Sequence, residues 1–258
     1  MRNNHKPKLA VFKFASCDGC QLTLLDCEDE LLAIAGAVEI AYFVEARRRT
    51  LNGPYDVTLV EGSITTEEEV ERIRDVRQKS RLLVSIGACA TSGGIQALRN
   101  WVDVDDYVDA VYAEPKYIHT LEKSRPVSDI VPVDFELRGC PISKQQLLNL
   151  VISLLIGRQP HVPAHSLCLD CKRQGTVCVT VAQGIPCLGP ATQSGCGAIC
   201  PSFNRGCYGC FGAAETFNAD AMEELFLGLG QKPDELVRAF RNFNGYMPAF
   251  RAASEQYA

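Results

Sequence analysis

Apolar and polar positions follow two rhythms along the first 160 residues. Compact apolar runs at LAVFKFA (9–15), VEIAYFVE (38–45), YDVTLVEG (55–62), RLLVSIGA (81–88) and IVPVDFEL (130–137) read as five strands. Between them, apolar residues recur at helical spacing. QLTLLDCEDELLAIAG (21–36) stops naturally at Gly36. SITTEEEVERIRDVRQKS (63–80) opens on Ser/Thr and acidic residues, as a helix N-terminus does. TSGGIQALRN (91–100) reads as a short helix and SKQQLLNLVISLLIG (143–157) as a longer one ending at Gly157, while 101–129, with Pro115 and Pro126, reads as irregular.

Strands alternating with helices predict an α/β fold, a parallel sheet with helices on both faces. Five strands suggest the flavodoxin-like order 2-1-3-4-5, whose ligands bind beyond the carboxyl ends of the strands. The expected division is a flavodoxin-like domain over 1–160 and a second, irregular domain over 161–258. After RQPHVP (158–163) the rhythm is lost: residues 164–212 carry no sustained period, and a loop that long needs something other than an apolar core to hold it. Helical patterns return at NADAMEELFLGLG (218–230) and KPDELVRAFRNFNG (232–245), the second with Pro just inside its start.

Composition changes this picture little. With 258 residues, 47% hydrophobic and 22% charged, the chain is an ordinary globular one, and its net charge of −5 offers no footprint for nucleic acid. No run reaches the ~20 apolar residues of a membrane helix. The opening MRNNHKPKLAVFKFASCDGC lacks both an apolar signal core and adjacent arginines, so a cytoplasmic location without membrane attachment is expected. Thiols stay reduced there.

That expectation decides how the 13 cysteines are read, since an odd number of reduced thiols points to metal binding. CDGC (17–20) follows the first strand, Cys89 in GACA the fourth and Cys140 in RGCP the fifth, so Cys17, Cys20, Cys89 and Cys140 converge on one side of the sheet. The irregular segment holds eight more: Cys168, Cys171, Cys178 and Cys187, spaced C-x2-C-x6-C-x8-C, and Cys196, Cys200, Cys207 and Cys210, spaced C-x3-C-x6-C-x2-C. Tetrahedral zinc and 4Fe-4S clusters both accept four thiolates. Zinc ribbons favour CxxC pairs about 15–20 residues apart. The irregular intervals here suit the larger cubane, and both metals remain open on spacing.

In combination, CDGCQ, EGSITTEEE, GACA, RGCP, and CLGPxTxxxC followed by a closing CxGC resemble the small subunit of nickel-iron hydrogenases, over about residues 9–245. The resemblance implies an electron-transfer subunit with three 4Fe-4S clusters and no catalytic residue of its own. It puts the proximal cluster on Cys17, Cys20, Cys89 and Cys140. The distal cluster falls on Cys168, Cys171, Cys178 and Cys187, with Cys168 where one branch of the family has histidine. The medial cluster falls on Cys196, Cys200, Cys207 and Cys210, with Cys200 added to the three cysteines of that branch. The nickel-iron centre would sit in a large-subunit partner. The all-cysteine set resembles the cytoplasmic, cofactor-coupled enzymes, whose diaphorase subunits carry FAD and iron–sulfur clusters and reduce NAD(P). A deazaflavin-coupled relative, a hydrogen sensor and a zinc-stabilised interaction module are the competing readings.

Other residues take plainer readings. Cys27 reads as a small buried hydrophobe. His119, His161 and His165 are not needed as ligands. Gly19, Gly62, Gly87 and Gly139 are read as close backbone approaches to a cluster, with N–H groups able to donate to its sulfurs. Glu61 is read as facing the proximal site or a subunit interface, EEEVE (67–71) as a solvated helix face, and Arg47-Arg48-Arg49 as a solvated loop.

Overall fold

A computed structural model describes residues 6–258, without side-chain detail at positions 31 and 33–35. Residues 1–5, on which part of the leader reading falls, lie outside it. Five strands, β1 (Lys8–Lys13), β2 (Glu39–Tyr42), β3 (Tyr55–Glu61), β4 (Ser80–Ile86) and β5 (Phe135–Leu137), form one sheet in the order β2-β1-β3-β4-β5. Every pair is parallel, as the alternation of strands and helices predicts.

The helices of the sheet region are α1 (Gly19–Leu25), α2 (Glu28–Ala37), α3 (Glu67–Lys79), α4 (Gly87–Ser92), α5 (Val104–Val111) and α6 (Lys144–Leu155). Those of the remainder are α7 (Leu167–Gln174), α8 (Val179–Gln183), α9 (Ile199–Ser202), α10 (Ala219–Gly228), α11 (Pro233–Phe240) and α12 (Pro248–Glu255). Among the described residues no helix is long and apolar enough to cross a membrane.

The sheet is buried on both faces, as parallel sheets are. Leu9, Val11, Leu59, Val84 and Ile86 pack with Leu24, Leu147, Leu150 and Leu154 on one face. Ala10, Phe12, Val60 and Leu83 pack with Ile73 and Val76 on the other. A third apolar cluster lies wholly within residues 167–253, where Phe226, Phe240 and Phe250 cover Leu167, Val179 and Leu188. The irregular cysteine segment therefore does have an apolar core, contributed mainly by helices that follow it in the chain.

Several elements differ from the sequence pattern for local reasons. The expected 21–36 helix is two, broken where Glu28 takes φ 38. The 63–80 helix starts only at Glu67, because Thr66 caps it. Glu69 there is not simply solvated: its Oε2 accepts from the Thr65 N–H at 2.7 Å and the Thr66 N–H at 3.2 Å, while Thr66 Oγ1 accepts from the Glu69 N–H. The fifth strand is only three residues long, and α5 and α12 occupy stretches read as irregular or left unread.

Candidate functional site

The carboxyl ends of β1, β4 and β5 point the same way, and each is followed by a cysteine loop. Cys20 enters α1, Cys89 enters α4 just after β4, and Cys140 follows β5 by three residues. Burial is the largest influence on these thiols and holds Cys20, Cys89 and Cys140 above their ordinary range, Cys89 at about 11. They also feel one another: Cys20 feels Cys89 and Cys140, and both Cys89 and Cys140 feel Cys17. The structure thus brings the four strand-end cysteines together, with Cys17 exposed at the edge.

Two glycines make room for them. A Cβ at Gly87, where φ is +84, would stand 2.4 Å from Cys20 Sγ, and one at Gly94, φ +66, 2.6 Å from Cys89 Sγ. Gly94 was not singled out from the sequence. Glu61, at the end of β3, is 2% exposed, and its Oε1 accepts from the Cys20 N–H at 3.2 Å. Burial raises its carboxyl above the usual range, and its Oε2 has no partner among the described residues.

The second group surrounds a cavity of about 250 Å³, lined by Cys168, Cys171, Cys178 and Cys187 with Val179, Val181, Pro190, Pro201 and Leu225. Burial is again the first cause that raises Cys168, to about 11, and Cys171; the influence of Cys187 and Cys178 adds to it. The N–H groups of Cys207 and Gly189 donate to Cys187 Sγ at 3.2 and 3.4 Å. His165 does not join the thiols. Its Nε2 pairs with Asp170 Oδ1 at 3.2 Å, inside CLDC, and Ser194 Oγ donates to the other oxygen of the same carboxylate.

The third group is Cys196, Cys200, Cys207 and Cys210. Burial pushes Cys207 and Cys210 up to about 12 and also raises Cys200. Cys210 feels Cys207, Cys196 and Cys200, and also Cys140 of the first group. Cys207 and Cys200 feel Cys187 of the second. The Cys207 N–H donates to Cys187 Sγ, and Asn244 bonds both Cys210 O and Ser92 of α4, so the third group lies between the other two. Gly209 N–H donates to Cys207 Sγ at 3.4 Å. Cys27 belongs to none of the groups and is buried in the sheet core, its Sγ against Thr23 O at 3.4 Å.

These donor sets fit iron–sulfur clusters. Buried thiols with raised pKa values do not ionise unaided, and cationic iron removes that cost. Among the described residues no three His, Cys, Asp or Glu side chains are placed to hold a single metal ion. The cavity of the second group, walled by apolar side chains, has room for a group larger than one ion.

Comparison with known proteins agrees with this reading. Residues 17–154 match the family described as NADH ubiquinone oxidoreductase, 20 Kd subunit. The sulfhydrogenase 2 subunit delta of Pyrococcus furiosus is 37% identical over 240 residues, covering 92% of this chain and 98% of that one. This chain belongs to the nickel–iron hydrogenase small-subunit family. A subunit of the F420-non-reducing hydrogenase vhu of Methanocaldococcus jannaschii is 32% identical over 237 residues, covering 81% of this chain and 82% of that one. A crystal structure of an NAD+-reducing [NiFe]-hydrogenase in the H2-reduced state superposes with a TM-score of 0.57 at 31% identity, over 62% of this chain and 96% of the other. As a hydrogenase small subunit the chain pairs with a large subunit, which contains the nickel–iron active site.

Residues between the groups were not legible as functional. Arg138, beside Gly139 and Cys140, donates from Nη1 to Gln193 Oε1 and Ala213 O, both at 3.2 Å, and its charge is paired with Glu136. Asn244 joins α4 to the CYGC loop. Neither carries a spacing signal.

Proposed function

We propose that this small subunit relays electrons through three 4Fe-4S clusters. Cys17, Cys20, Cys89 and Cys140 hold the proximal one, Cys196, Cys200, Cys207 and Cys210 the medial one, and Cys168, Cys171, Cys178 and Cys187 the distal one. The observation that carries this is the order of the thiol groups: Asn244 bonds both Cys210 O and Ser92 on the helix of Cys89, and the Cys207 N–H donates to Cys187 Sγ, so the third group bridges the outer two. When bound, the clusters supply one-electron transfer; the protein's part is to hold them in line, exclude water and set potentials. Exclusion is strongest at the third group, where Cys207 is buried and no thiol is exposed; the first and second groups each have one exposed thiol, Cys17 and Cys178. N–H groups donated to Cys187 and Cys207 stabilise the reduced, more negative state. The same order supports two domains, 1–160 with the proximal cluster and 161–258 with the other two.

The proposed acceptor is a set of diaphorase subunits with FAD and iron–sulfur clusters that reduce NAD(P) in the cytoplasm. The NAD+-reducing hydrogenase structure supports this over 62% of the chain. The sulfhydrogenase relative spans 92% and so includes cysteine-rich sequence beyond that share, which favours reduction of a sulfur compound as the second reading. Purifying the complex and measuring hydrogen-dependent reduction of NAD, NADP and polysulfide separates the two. Activity with NAD or NADP supports the first reading, and activity with polysulfide alone replaces it.

A further inference from the structure

We propose that the Thr192 hydroxyl sets the potential of the medial site by turning its proton onto Cys207 Sγ in the reduced state. This rests on the reading of Cys196, Cys200, Cys207 and Cys210 as the medial cluster. Thr192 is 1% exposed, and its Oγ1 lies 3.4 Å from Cys207 Sγ. Its backbone is fixed on both sides. The Thr192 N–H donates to Gly189 O at 3.3 Å, its carbonyl accepts from the Leu167 N–H at 2.8 Å, and the residue pairs with Ala213 in an antiparallel bridge. Three segments of the cysteine-rich region thus hold the hydroxyl beside the thiol, while the O–H remains free to turn about one bond.

The hydroxyl has one proton and two acceptors within reach. As a thiol, Cys207 donates to Thr192 Oγ1, and Thr192 in turn donates to Leu188 O at 2.6 Å. That second bond is the ordinary threonine back-bond to the carbonyl four residues earlier. Leu188 O does not depend on it, because it also accepts from the Ala191 N–H at 3.0 Å. As a metal ligand Cys207 is a thiolate, with no proton to give, and is an acceptor alone. Thr192 then turns its proton from Leu188 O to Cys207 Sγ and strands no group. The proton stays on the threonine oxygen throughout, and reduction adds one electron only.

Among the described residues, the thiols of the three groups have hydrogen bonds to two side chains, Gln96 and Thr192. Gln96 presents an acceptor: its Oε1 faces Cys89 Sγ at 3.5 Å, and its Nε2 is committed to Ala15 O at 2.7 Å. Thr192 is the one that becomes a donor by rotation alone. Burial raises the Cys207 thiol to about 12, and of the influences that lower it the Thr192 hydroxyl stands first, ahead of the Gly209 N–H. A donor to a ligand sulfur favours the reduced, more negative state and so raises the potential. The backbone N–H of Gly209 is fixed in both states, whereas the hydroxyl follows the charge on Sγ.

The test uses the purified complex of this chain with its large subunit. Thr192→Val puts a methyl group in place of the hydroxyl, and Thr192→Ser keeps the hydroxyl and drops the methyl. Iron is measured, and the cluster midpoints are followed by redox titration with electron paramagnetic resonance. Thr192→Val should hold its iron and lower one midpoint, so that at the wild-type midpoint the ratio of reduced to oxidised cluster falls several-fold. The other two midpoints should stay where they are, and Thr192→Ser should titrate as wild type. Unchanged midpoints in an iron-replete Thr192→Val complex overturn the proposal. So does an equal shift in the valine and serine variants, which assigns the effect to packing. Thr192→Ala is a second variant without the hydroxyl. Loss of about four irons in both it and Thr192→Val makes Thr192 a structural support and overturns the proposal as well. A wild-type complex without iron at the third group instead overturns the functional reading beneath it.

Discussion

Asn244 and Cys210 are joined across the interior of the molecule: the Asn244 side-chain amide donates to the Cys210 carbonyl at 2.9 Å. The same amide donates to Gly209 O at 3.0 Å, and Asn244 Oδ1 accepts from Ser92 Oγ at 2.8 Å. Ser92 closes the helix that carries Cys89, so one buried side chain fastens the loop of the first thiol group to the loop of the third. Both polar ends of the Asn244 amide have partners, which makes it a fixed link. Asn244→Leu keeps the approximate volume and strands the Cys210 carbonyl, while Gly209 O keeps the Gly212 N–H at 2.9 Å. Each buried group left unsatisfied costs roughly 1–3 kcal/mol. A total near 2 kcal/mol lowers the unfolding temperature of a chain this size by roughly 4–8 °C. Calorimetry of the complex checks it; an unchanged transition means the link contributes nothing.

Gly87→Ala puts a methyl group 2.4 Å from Cys20 Sγ at a φ of +84, so the first thiol group cannot close. Iron in the purified complex should fall by about four atoms. Gly228→Ala is the control, since a Cβ there meets nothing within 4 Å; it should leave iron unchanged.

Glu61→Ala removes the acceptor of the Cys20 N–H and opens space under the first group, whereas Glu61→Gln keeps an oxygen in place. The alanine variant should lose proximal iron during purification and the glutamine variant should retain it. Equal loss in both would assign the effect to charge, not to the hydrogen bond.

The sheet order and the long helices were legible because burial on both faces leaves unbroken apolar strands, and α3 and α6 keep a clean helical period. The three cysteine groups were legible because thiols carry a chemical signature that does not depend on local structure. Other features had no such mark. Asp103 caps α5, whose Val104 and Val108 are buried four residues apart, a signal present in VDVDDYVDAV but short enough to pass for loop. Eight-residue α12 follows the irregular NFNGYMP, and only its packing of Phe250 against Phe217 and Phe240 reveals it. Asn244 and Arg138 act through partners distant in sequence, which no local pattern announces. The donors to cluster sulfurs were expected at Gly19, Gly62, Gly87 and Gly139; those to Cys187 and Cys207 come from Gly189, Cys207 and Gly209, because turns within the thiol loops point their N–H groups inward.

Cys200→Ser tests the medial assignment. Cys196, Cys207 and Cys210 still hold three irons, and a serine oxygen is a poorer ligand for the fourth than a thiolate. A 3Fe-4S cluster should form, paramagnetic when oxidised, whereas the oxidised 4Fe-4S cluster is not. Electron paramagnetic resonance of the oxidised variant should show a new signal. Full iron content without that signal would remove Cys200 from the site.

The central claim is three four-iron clusters in this one chain, and metal analysis of the complex purified without oxygen addresses it directly. The expected result is a brown complex with about twelve iron atoms and about twelve acid-labile sulfides per copy of this subunit, beyond the large subunit's own nickel and iron. About eight irons would leave one thiol group empty, and a colourless complex carrying two or three zinc ions per chain would contradict the electron-relay account altogether.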